Sequence, residues 1–208
     1  MRSKGSVFFL FFLICSSAAI VSAQTFYGTT DLKTFRDGRE HEMRDPKETP
    51  LPEAERAKFS ALKYYETDKK FRVTARLKKE PSEQRINFQT SSGKVRIFLR
   101  YGTVSFKLRG KKYELGVYQV EPAAQKEEYK DLLFIPFKDE TSGKETYGAG
   151  RYIDIKVPTS DKVVLDFNLA YNPNCAYGSD KYNCPIPPKE NRLAVEIKAG
   201  EKSYLAAH

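Results

Sequence analysis

Histidine is almost missing from this 208-residue chain: only His41 and His208 occur. Imidazole acid–base catalysis would have to rest on His41, and so would a Cys–His nucleophile pair. Cysteine is scarce as well, with three in all. A structural zinc needs about four ligands, so no metal site is expected. No P-loop, dinucleotide-binding glycine fingerprint, Gly-x-Ser-x-Gly elbow or His-Glu-x-x-His is present, and no cofactor is expected. No nucleic-acid recognition motif is visible, so nucleic acid is not an expected partner. After the first two dozen residues no apolar run is long enough to cross a bilayer.

The one strong apolar run is N-terminal. Arg2 and Lys4 precede Val7 to Ile14 (VFFLFFLI), and Val21-Ser22-Ala23 puts small residues where a signal peptidase needs them. The spacing predicts a cleavable secretory signal over residues 1–23. A membrane anchor is the alternative, but the run is far short of the roughly 20 residues that span a bilayer. Lipid attachment at Cys15 is opposed by the bulky Ile14 before it. The expected product is exported, periplasmic or extracellular, with no stable membrane insertion. Residues 24–208 are expected to form a single domain, long enough to bury a core.

Cleavage removes two basic residues and no acidic ones, taking the net charge from +9 to +7. That favours solubility and anionic partners. Clusters such as Lys69-Lys70, Lys78-Lys79 and Arg109 to Lys112 sit at expected strand ends, where they discourage edge-to-edge pairing. Cys175 and Cys184 remain after cleavage, an even pair in an exported chain, and are expected to form a disulfide. Its ten-residue ring corresponds to about 2.7 kcal/mol in the chain-entropy treatment.

Periodicity sets the fold class. Thr30-Asp31 caps an expected helix to about Met43, with Leu32, Phe35 and Met43 on its apolar stripe. A second helix is expected from Pro52 to about Phe59–Leu62. Then the period becomes two. Apolar alternation marks strands at Phe71–Leu77, Ile86–Phe88, Val95–Tyr101, Val104–Leu108, Tyr113–Tyr118, Leu132–Phe137, Arg151–Val157, Val163–Asn168 and Leu193–Lys198. Pro136 marks an edge or bulge. The expectation is a mainly β fold, an antiparallel sandwich or barrel of eight or nine strands with one or two N-terminal helices.

Chemistry is expected between about Glu145 and Arg192. Alternation puts Arg151 on the face of Ile153, Ile155 and Val157. A charge there must be paired internally or must face a pocket. The internal partners would be Asp139, Glu145 or a backbone carbonyl. A pocket would use the planar fork to hold a carboxylate or phosphate. Further along, Asn168, Asn172 and Asn174 with Tyr171 form either a hydrogen-bonded loop scaffold or a polar binding wall. Pro185, Pro187 and Pro188 stiffen the approach to Glu190, Asn191 and Arg192.

Several blocks together carry a resemblance. They are Phe134–Tyr152 (FIPFKDETSGKETYGAGRY), Asp166-Phe167-Asn168 running into Ala170-Tyr171-Asn172-Pro173 and Cys175-Ala176-Tyr177, then Cys184-Pro185, Pro187 to Leu193 and Ala199 to Lys202. The chain resembles the family called domain of unknown function 1684. The resemblance implies a shared fold and site but supplies no activity. It points to Glu145, Tyr147, Arg151, Asp166, Asn168, Tyr171, Asn172, Cys175, Cys184, Glu190 and Asn191. Leu169 stands where the family pattern implies an arginine or similar polar residue, so a charge contact is missing there.

Three functions follow as expectations. The first is binding of a small anionic or polar ligand in a pocket centred on Arg151 and the Asp166–Asn174 segment, with Glu145, Tyr147, Asn168, Tyr171, Asn172 and Asn191 as ligand contacts. The second is a hydrolase- or lyase-type enzyme with Asp166 or Glu190 as base and Arg151 and Tyr171 as electrostatic stabilisers. The third is a purely structural or interaction domain. Oligomeric state has no signature in the sequence.

Overall fold

The computed structural model describes residues 26–121 and 127–205. The expected signal, residues 1–23, lies outside them, as does His208. Helix α1 spans Leu32–Arg44. The Asp31 side chain accepts from the Thr34 amide at 2.8 Å and caps it. Asp45-Pro46 stops it. Helix α2 is a single turn, Glu53–Arg56, shorter than expected; Phe59 and Leu62 beyond it pack with Met43 and Leu51 from non-helical backbone.

Six antiparallel strands form one sheet: β1 Arg72–Gln89, β2 Val95–Leu108, β3 Lys111–Val120, β4 Leu132–Phe137, β5 Arg151–Lys156 and β6 Lys162–Asp166, in the order β5-β4-β3-β2-β1-β6. Beyond β6 a short 3-10 turn, Phe167–Leu169, leads to Tyr171. Tyr171 exchanges two backbone hydrogen bonds with Tyr152 of β5, at 2.9 and 3.0 Å. The sheet therefore comes back on itself as a nearly closed barrel, and the chain is mainly β as the periodicity implies.

Nine apolar runs become six strands for identifiable reasons. Phe71–Leu77 and Ile86–Phe88 are two ends of β1, interrupted by a register shift between Lys79 and Gln84 with Pro81 inside it. Likewise Val95–Tyr101 and Val104–Leu108 are one strand bent at Tyr101-Gly102, where the β2–β3 register shifts. Gly102 is needed there: a Cβ would lie 2.4 Å from the Lys78 carbonyl oxygen. The next reversal centres on Arg109 and Gly110, φ +50° and +78°, with Leu108 opposite Lys111.

The ninth run, Leu193–Lys198, is not a strand. Its alternation is real, because Leu193 and Ile197 are buried in the barrel core with Val104, Leu115, Ile135, Ile153, Leu165 and Phe167. Its backbone, however, pairs with the main chain only at two points, the Leu193 amide with the Lys138 carbonyl and the Val195 carbonyl with the Glu140 amide, and side chains serve it beyond them. The Ile197 amide donates to Asp139 Oδ2 at 2.7 Å, and carbonyls from 197 onward accept from Arg151.

A side chain also repairs the sheet at Pro136. The β3–β4 register holds only at Tyr118 and Phe134, because Pro136 has no N–H to offer. Asn191 inserts there, fully buried. Its Nδ2 donates to the Gly116 and Pro136 carbonyls at 2.9 and 2.6 Å, and its Oδ1 accepts from the Gly116 amide at 2.7 Å. Asn191 thus supplies the missing ladder contacts.

Candidate ligand-binding cleft

Arg151 comes first because its position decides between the two expectations for it. The side chain is fully buried. Nη1 donates to the Ala199 and Glu201 carbonyls at 2.5 and 3.2 Å. Nη2 donates to the Ile197 carbonyl at 2.9 Å and to Asp139 Oδ1 at 3.4 Å. Its fork is occupied by the C-terminal segment, and Arg151 lines neither of the two large clefts. The pocket-centre expectation is corrected: Arg151 is a lock, by way of Asp139 and backbone carbonyls.

The other expected residues mostly divide the same way. Asp166 accepts from the Asn168 amide and Nδ2 and from Arg72 Nη1, at 2.8 to 3.1 Å. Asn168 also pairs with the Asp68 backbone through both ends of its amide. Glu190 accepts from Tyr118 at 2.8 Å and Arg100 at 3.1 Å. Asn172 is buried against Glu201, and Asn191 is in the sheet. Glu145 pairs with Lys198 at 3.0 Å. Tyr147 packs with Met43, Leu51 and Tyr177 in a separate apolar cluster. None of these lines the cleft described next. Of the expected bases, Asp166 has both oxygens engaged by protein donors, and Glu190 has Oε1 engaged by two.

Tyr171 is different. It lies at the floor of a cleft of about 700 Å³ on the outer face of the barrel. Tyr152 and Asp154 contribute the β5 wall, and Phe98, Val120 and Phe134 the sheet behind it. Tyr27 and Glu42 close one side. The segment from Asn174 to Pro185 closes the other and carries the Cys175–Cys184 disulfide, Cα–Cα 6.1 Å. Lys47, Glu48, Arg96, Lys181 and Tyr182 complete the opening. A second cleft of about 690 Å³ lies between residues 26–34 and β5–β6, and it shares Tyr27 and Asp154 with the first.

Asp154 is the chemically distinctive group. Tyr171 Oη donates to its Oδ2 at 2.5 Å. Burial pushes the carboxyl up to about 6, against the lowering effects of the Tyr171 hydrogen bond and the nearby Arg39 charge. Burial and the Asp154 charge push the Tyr171 phenol well above its ordinary value, so it stays a donor. A carboxyl poised near neutrality in an aromatic cleft is the pattern expected of a functional group.

The family described as "Protein of unknown function (DUF1684)" matches residues 57–202. The chain belongs to the DUF1684 family. An uncharacterized protein from Haloarcula marismortui, solved in solution by NMR, is 33% identical, with a TM-score of 0.67 over 84% of this chain and 94% of that one. No curated protein matches.

This DUF1684 member also contains a functional-site neighbour that pattern reading passed over. Arg39 is fully buried on α1. Its Nη1 reaches Glu42 at 2.7 Å and Tyr27 at 3.0 Å. Its Nη2 reaches Tyr177 at 2.7 Å and lies 3.7 Å from the buried Glu201. Tyr177 in turn donates to Glu201. Burial works against the Arg39 charge, but Tyr177, Tyr27, Glu42 and Glu201 outweigh it and the guanidinium pKa rises. The network fixes Tyr27 and Glu42, two cleft walls. The signal was available in the sequence: Phe35, Arg39 and Met43 are four residues apart, so Arg39 sits on the buried stripe.

Proposed function

We propose that this protein binds a small polar ligand in the cleft over Asp154 and Tyr171. The observation that carries the reading is the Asp154 carboxyl itself. It is half-buried among tyrosine rings, lacks an ion-pair partner among the described residues and opens on a cleft large enough for a metabolite-sized molecule. The fold has no visible structural need for a charge at that point, and groups kept against stability are usually kept for function. Of the residues expected from sequence, Tyr171 and Asn174 belong to this site.

Glu48→Trp tests the reading, because Glu48 is exposed at the cleft mouth and an indole there fills the space without touching the core. The protein is screened by thermal shift against sugars, organic acids, amines and phosphates. The expected result is a saturable hit that the variant loses. No hit, or an undiminished one in the variant, refutes the site.

Export is part of the proposal, supported by the basic start, the short apolar run and the small residues to Ala23. N-terminal sequencing of the protein from its native cell is expected to begin at Gln24; a retained Met1 rejects cleavage. The same Asp154–Tyr171 pair favours a second reading, general acid–base chemistry on the bound molecule, which conversion of a hit into product would establish.

A further inference from the structure

Asp154 has two carboxylate oxygens, and only one is used. Tyr171 holds Oδ2; among the described residues no donor bonds Oδ1. Arg39, the nearby cation, has its fork on Tyr27, Glu42 and Tyr177. Around the carboxyl stand aromatic rings at steep mutual angles. Tyr27 and Tyr171 are 5.2 Å apart at 52°, Tyr152 and Tyr171 5.7 Å at 88°, and Phe134 and Tyr152 4.7 Å at 74°.

From this geometry we infer that the ligand carries a small ammonium group, primary or quaternary, seated against Asp154 within these rings. The inference rests on the binding reading above and narrows it to a class. Tyr27, Phe134, Tyr152 and Tyr171 line the cleft together with Asp154, and aromatic rings beside a carboxylate are the lining that recognises ammonium ions. A cation also supplies the charge the carboxylate lacks, where a neutral hydroxyl would not. Lys47, Arg96 and Lys181 also line the cleft, Lys47 and Lys181 being exposed at its mouth. They offer a place for an anionic group on the same molecule, so a zwitterion is favoured over a simple cation.

Binding should therefore follow the carboxylate form of Asp154. The groups facing Asp154 are Tyr171 from beyond β6, Tyr27 from before α1, Tyr152 from β5 and Arg39 from α1. All four have pKa values raised from already high ordinary values. Glu42 of α1 also lines the cleft, held by Tyr27 and Arg39, and Glu48 lies at its mouth.

The test titrates the purified protein, at constant ionic strength, with glycine betaine, tetramethylammonium and 2-aminoethanol, with glucose, glycerol and inorganic phosphate as controls. Heat of binding is read at pH 7.5 and pH 5. Saturable binding of at least one amine is expected. It should weaken by about tenfold at pH 5, the factor for one pH unit below a group titrating near 6, and by tenfold or more in Asp154→Asn. Circular dichroism confirms that the variant is folded. If a control binds in the cleft and no amine does, the ammonium inference fails and the binding reading survives. If neither amines nor controls bind, both fail. Equal amine binding by Asp154→Asn also overturns the inference.

Discussion

Arg151→Met should destabilise the protein by about 4 kcal/mol, in the range seen when one partner of a buried ion pair is removed. The substitution keeps much of the volume but strands Asp139, which is also fully buried. It further leaves the carbonyls of Ile197, Ala199 and Glu201 without their donor, each a cost of its own. Arg151→Lys separates charge from shape. An ammonium is a point donor and cannot span three carbonyls and a carboxylate as a planar fork does. Most of the loss should therefore remain in the lysine variant. Urea unfolding measures both. A lysine variant as stable as the parent would show that charge alone matters, and a methionine variant within 1 kcal/mol would show that the lock contributes little. Where either variant is folded, ligand binding in the cleft should persist, because Arg151 does not line it.

The second large effect has the opposite sign. Asp154→Asn should stabilise the protein at neutral pH. The carboxyl's folded pKa is raised from 3.8 to about 6, so the folded state holds a proton more tightly than the unfolded state. Its contribution is fully present below about pH 4 and is lost as pH rises through 6. Raising the pKa from 3.8 to about 6 corresponds to about 3 kcal/mol. Asparagine resembles the neutral acid in shape and keeps an oxygen for the Tyr171 hydroxyl. The stability difference between variant and parent should grow from near zero at pH 4 to about 3 kcal/mol at pH 7. A difference that does not vary with pH, or a variant less stable at pH 7, would contradict the account. A gain in stability coupled to a loss of ligand binding is what a functional group in a desolvated site produces.

These two residues also show how far the sequence reaches. Both lie on β5, where alternation sends Arg151 and Ile153 inward and Tyr152 and Asp154 outward. The inward arginine was visible as an anomaly in the pattern. Its partners were not, because the carbonyls at 197–201 come to it through tertiary folding from some fifty residues away. Asp154 gave no signal, since an outward aspartate on an antiparallel strand is ordinarily solvated. Here α1, Tyr27 and the disulfide-bearing segment cover that face, and nothing local in β5 encodes the covering. Arg39 lay between those cases, legible from the spacing of Phe35 and Met43. Leu193–Lys198 erred in the other direction: burial produced the alternation of a strand, while past Val195 the side chains of Asp139 and Arg151 took the place of the ladder.

The account of the cleft depends above all on the state of Asp154. Carbon-13 NMR of its side-chain carboxyl across pH 3 to 8 reads that state directly. The expected midpoint lies near 6. A midpoint at the ordinary carboxylate value of about 4 would mean a solvated surface aspartate, and the cleft would lose the group on which its proposed chemistry rests.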